Sequence, residues 1–104
     1  MRSSVAIQIS RFVDEDFPGF IECVLVDAFG KSHVFIEKAS VVTTENLVST
    51  SSYPCPGAID CEVVGEWTDD KGHELSRVSI ERPWSVESTE GLTEFVVSTS
   101  KLRS

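Results

Sequence analysis

The side chains of this chain that could do chemistry are Cys23, Cys55, Cys61, His33, His73 and a surplus of carboxylates. Cys55 and Cys61 are separated by five residues, whereas structural zinc sites pair ligands at C-x(2–4)-C, where a short knuckle aims two sulfurs at one tetrahedral centre. With no second pair, the spacing predicts no metal ligands, and the cysteines read as small apolar side chains. Nucleophilic catalysis needs a Cys or Ser held by a base that is itself oriented by an acid. The residue types are present, but no G-x-S-x-G elbow or papain-like cysteine motif arranges them. Each histidine falls at an expected hairpin end, the usual place for an exposed or capping imidazole. Asp14-Glu15-Asp16 forms a solvated turn, because a calcium loop needs alternating ligands and a distal Glu. Glu87 and Glu90, with Trp84 nearby, could face a sugar, yet a glycosidase needs two acids set roughly 5–10 Å apart across a cleft, which this spacing does not specify. Phosphate-loop and dinucleotide glycine motifs are missing. No catalytic residue, metal ligand or cofactor is therefore expected.

Binding is the better use of these residues. Tyr53, Cys55, Trp84, Glu87, Glu90 and His33 are the candidate binding residues, most of them on the connections 43–57 and 84–91. The first connection is longer than a hairpin turn, and long connections in small domains tend to be functional. Trp67, Phe29 and Phe35 are further large anchors for an interface.

Charge narrows the partner. Seventeen acidic residues against nine basic give a net charge of −8, and Arg2, Arg11, Lys31, Lys38, Arg77 and Arg82 are scattered singly. Nucleic acid, which needs clustered Lys and Arg, is not an expected partner on these grounds. A basic protein surface suits the charge, and the same acidity keeps a small protein soluble. No apolar run approaches the ~18 residues of a membrane helix. The N-terminus alternates polar and apolar residues where a secretory signal would be uniformly apolar. Three cysteines leave no complete disulfide set, so a reducing cytoplasm is the expected location.

The elements that must position these residues are strands. Residues 17–38, FPGFIECVLVDAFGKSHVFIEK, read as the central hairpin: a Pro-Gly turn, a strand over 20–27 apolar on both parities, a reversal at Gly30, and a return over 33–42. The two-sided apolar strand is expected to be covered on both faces, and Leu25→Asp to unfold the domain. Before it, Val5, Ile7 and Ile9 alternate to about Phe12. Thr43-Thr-Glu-Asn-Leu could hold one helical turn, and the Pro and Gly residues that follow argue against helix or central strand. A strand over 58–67 carries Gly65 at a suspected bulge, a polar turn follows, and the chain returns over 73–81 with an irregularity expected near Ser76-Arg77. Residues 93–98 make the last strand, and 101–104 should fray. Six to seven strands without helical periodicity predict a single all-β domain over 1–104, a small antiparallel barrel or sandwich.

At Phe17-Pro-Gly-Phe-Ile-Glu-Cys, Glu37-Lys38, Tyr53-Pro-Cys-Pro-Gly and Arg82-Pro-Trp-Ser-Val-Glu-Ser-Thr-Glu-Gly the chain resembles a group of small bacterial all-β proteins to which no activity attaches. The resemblance implies a bacterial, cytoplasmic, single-domain protein, and some such acidic proteins look like immunity partners of toxins. The leading expectation is a non-enzymatic acidic interaction module, an inhibitor or immunity-like protein covering a basic partner. The alternative is a small-molecule or metal-binding barrel, an enzyme included. A third possibility is a homodimer formed through strand edges.

Overall fold

The structure, a computed structural model, describes residues 2–14, 19–43, 52–82 and 85–103. They form one antiparallel sheet of six to seven strands curled into a half-barrel, with almost no helix. The strands are β1 (Arg2–Asp14), β2 (Phe20–Val26), β3 (Ser32–Lys38), β4 (Cys55–Thr68), β5 (Glu74–Ser79), β6 (Glu94–Ser98) and β7 (Leu102–Arg103), with a four-residue helix α1 (Ala39–Val42) after β3. Their order is β3-β2-β1-β4-β5-β6, and β7 adds to β1. Among the described residues no helix is long and apolar enough to cross a membrane.

Alternation builds the core. Val5, Ile7 and Ile9 of β1, Ile21, Cys23 and Leu25 of β2, Phe35 of β3, Ile59 and Cys61 of β4, Val78 of β5, and Phe95 and Val97 of β6 fill the concave side. Burial raises the Cys23 thiol to about 12 and the Cys61 thiol to about 11, with neighbouring carboxylates adding to both, so neither is a nucleophile near neutrality. Curling brings the sheet's ends together: the Ala28 N–H donates to the Val96 carbonyl and the Thr89 N–H to the Val34 carbonyl. The Phe95 ring meets His33 and Phe35 edge-on, with centroids 4.7 and 5.7 Å apart. These bonds occupy part of the edges that an open sheet would leave unpaired.

Several sequence expectations need correction. The β2 strand is covered on one face only, since Val24 is half-buried and Val26 is exposed. The strand expected over 33–42 ends at Lys38, where α1 begins. Pro56 and Gly57, expected outside any strand, lie within β4 opposite Gln8 and Ile7. Proline is tolerated there because β5 joins β4 only from Glu62 onward, leaving that side of Pro56 without a ladder bond to donate. Gly57 is required for space, because a Cβ would lie 2.9 Å from the Val42 carbonyl oxygen and 3.1 Å from the side chains of Ile7 and Ile9. The bulge at Gly65 is present, as a register shift between Val63 and Gly65. The extra residue is in β4, and the shift it makes faces Arg77 and Val78, beside the irregularity expected near Ser76-Arg77; Leu75 and Ser76, on opposite faces of β5, are both buried. Residues 101–103 do not fray: after a 3₁₀ turn at Thr99–Lys101, Leu102 and Arg103 pair with Val5 and Ser4, and Ser104 lies outside the described residues. β2 covers β1 only from Gln8 onward, so the tail supplies the missing neighbour. The helical turn expected in residues 43–47 lies mostly outside the described residues.

Candidate functional site

Three connections are built from the same bonds. In Asp27–Lys31, Asp69–His73 and Ser88–Leu92 the first residue's N–H donates to the carbonyl of the fifth, and the fourth residue, a glycine, donates back to the carbonyl of the first. The first residue's side-chain oxygen accepts from the N–H groups of the third and fifth residues: Asp27 from Phe29 and Lys31, Asp69 from Lys71 and His73, Ser88 from Glu90 and Leu92. Gly30, Gly72 and Gly91 have φ of +82°, +83° and +83°, a conformation costly for any residue with a Cβ. The pattern [Asp/Ser]-x-x-Gly is legible in the sequence, and Asx-type turn chemistry explains it.

Both histidines serve these turns. His33 Nε2 lies 2.8 Å from Asp27 Oδ2, and His73 Nδ1 lies 3.1 Å from Asp69 Oδ2. His33 is buried, contrary to the exposed imidazole expected, because curling sets it against Phe95. Its Nδ1 is buried without a partner among the described residues. His73 is exposed and matches its expected capping role. Burial pushes the Asp27 carboxyl up, but hydrogen bonds from His33, Lys31 and Phe29, together with the His33 charge, outweigh it and hold the carboxyl below the usual carboxylate value. Asp69 is held low first by the His73 N–H; desolvation pushes it up, and the His73 ring and the Lys71 N–H add to the lowering and outweigh that push.

The remaining sequence candidates lie elsewhere. Tyr53 and Cys55 lead into β4, where both pack against the core, and Cys55 sits opposite Ile9. Glu87 and Glu90 are exposed on the connection that crosses beside Val34. Trp84 lies outside the described residues. No cluster of three His, Cys, Asp or Glu able to hold a metal ion occurs among the described residues.

The surface has its own grooves. One of about 620 Å³ lies where the first two turns approach, walled by Ala28 and Phe29 on one side and Asp69, Gly72, His73 and Glu74 on the other, with Leu75, Ser98 and Ser100 below. Next to it, sharing Glu74 and Leu75, a hollow of about 230 Å³ is lined by Glu66, Trp67, Thr68 and Thr99. A third groove, about 470 Å³, lies between α1 and β4 and includes Ser4, Ser40 and Asp60. None of the three is lined by Tyr53, Cys55, His33, Glu87 or Glu90. Phe29 is 75% exposed and Trp67 40%, so two aromatic rings stand open around the paired grooves. From Glu66 to Glu74 the hairpin tip carries four carboxylates, on Glu66, Asp69, Asp70 and Glu74, against Lys71. Exposed aromatic rings thus stand beside acidic side chains around these two grooves. Set against family models, curated proteins and solved structures, the chain finds no match in any of the three.

Proposed function

We propose that this chain is a non-enzymatic interaction module that covers a basic surface of a protein partner with the end carrying Phe29, Trp67 and the Asp69–Glu74 turn. The observation that carries this reading is Phe29, a large apolar side chain three-quarters exposed on the wall of an acid-lined groove. A buried anchor ring supplies affinity, while the carboxylates steer a basic partner and set orientation. An inhibitor or immunity-like role is the form of this function that suits a net charge of −8. A small ligand inside the barrel is less well supported, because the concave side is filled by the core cluster and the grooves lie on the surface.

Photo-crosslinking tests the proposal. A benzophenone amino acid replacing Phe29 or Trp67 should trap a partner with a basic surface in the source cells, and one replacing Glu87 should not. Association of the purified pair should weaken with salt and with Phe29→Ala. Adducts from Glu87 and none from Phe29 or Trp67 would move the surface elsewhere and overturn the assignment.

A further inference from the structure

β4 outlasts its neighbour. Its pairing with β1 ends at Arg2–Glu62, yet the strand runs on to Thr68 with only β5 beside it among the described residues. The alternation of an antiparallel ladder fixes which backbone groups are left over. Asp69 and His73 form a bonded pair, so Trp67 and Leu75, two residues further in, form the next. Glu66 and Thr68 therefore direct their N–H and C=O groups away from β5, along an edge where residues 66–68 are all exposed. The bulge between Val63 and Gly65 ends the regular edge on the inner side, so the usable stretch is Glu66–Thr68.

We propose that this edge accepts an extended, lysine- or arginine-rich segment of the partner as an added strand. This rests on the reading that the acidic end binds a basic protein, and it specifies how. Backbone bonds to Glu66 and Thr68 supply register, as in other strand-addition complexes. Side chains of the incoming strand then alternate between the hollow at Trp67 and Leu75 and the opposite face. Charge selects the occupant: β4 carries Asp60, Glu62 and Glu66 and no Lys or Arg. A second copy of the chain would set like charges together across the new pair, whereas a basic strand meets opposite ones.

Amide hydrogen exchange on the labelled protein, with a synthetic peptide of alternating Lys and Val at millimolar concentration, tests this. The Glu66 and Thr68 amides should become protected by about tenfold or more, while Trp67, already bonded to Leu75, changes little. Methylating alternate peptide nitrogens removes the ladder donors and should abolish the protection. Thr68→Pro removes an outward N–H without touching the bonds to β5, so it should weaken binding about tenfold while the circular dichroism spectrum is unchanged. Responses confined to Phe29 and His73, with Glu66 and Thr68 unprotected, would overturn strand addition and leave the acidic-surface reading standing. No response anywhere would overturn both. Protection that grows with protein concentration in the absence of peptide would assign the edge to a second copy.

Discussion

The β2–β3 and β4–β5 hairpins are the same device placed in two environments. Each turns on Asp-x-x-Gly with the same four backbone and side-chain bonds, and each sets a large residue two before the Asp opposite one six after it. In the first the pair is Leu25 and His33, in the second Trp67 and Leu75. Leu25 is fully buried, while Trp67 is 40% exposed. Register makes the difference: Leu25 and His33 stand on the core face, whereas the shift between Val63 and Gly65 leaves Trp67 and Leu75 on the face opposite Val78 and Phe95, on a stretch that extends past the end of β1. Local turn chemistry therefore shapes a hairpin without deciding whether it becomes core or contact surface.

The largest expected effect separates the paired positions. Leu25→Asp buries an uncompensated carboxylate and should cost several kcal/mol, on the order of the ~5–15 kcal/mol that holds a domain together. Trp67→Asp should cost only about 1 kcal/mol of cross-strand packing. Circular dichroism should show the first variant unfolded and the second folded; two folded proteins would put Leu25 outside the core.

Next come the aspartates. Asp27→Ala removes the acceptor for Phe29, Lys31 and His33 and leaves the buried imidazole without a partner, a loss of about 3 kcal/mol. Asp69→Ala removes the equivalent acceptor in water and should lower the melting temperature far less. Equal shifts in thermal melts would erase the distinction between the hairpins.

Acid should act on the aspartate of the first hairpin. Asp27 binds its proton less tightly in the folded chain than in the unfolded one, where its value is about 3.9. Its ionisation therefore contributes stability that is fully present above that value and is lost as pH falls through the lower folded value. Asp27→Asn keeps an oxygen for the turn N–H groups and removes the titration. Denaturant midpoints measured from pH 7 to about 2 should fall less steeply below about pH 4 for this variant than for the parent. An identical acid limb would mean that Asp27 is not held low.

The smallest effect should be shared. At Gly30 and Gly72 nothing lies within 4 Å of an added Cβ, so alanine meets only the backbone cost of positive φ, about 1 kcal/mol at each. Matching shifts in denaturant midpoint confirm that the turns are equivalent, and a large inequality would show that their environments reach into the backbone.

Alternation and turn residues were enough to read an all-β chain of six to seven strands, the inward parity of Val5, Ile7 and Ile9, and the bulge at Gly65, because each depends on neighbours in sequence. The Asp-x-x-Gly turns were equally local, and the spacing of Asp27, Asp69 and their glycines was the signal for them. Tertiary structure alone decided the rest. His33 and His73 look alike in sequence, and only the closing of the sheet put one against Phe95 and left the other in water. Cys55 looked like a loop residue because Pro54, Pro56 and Gly57 break local strand rules, yet Cys55, Pro56 and Gly57 pair with β1 as the start of β4, while Tyr53 and Pro54 stay outside the strand. Phe29 and Trp67 became the exposed rings because burial depends on the face that register gives a residue and on which strands the curling sheet brings together, and both are properties of the whole chain.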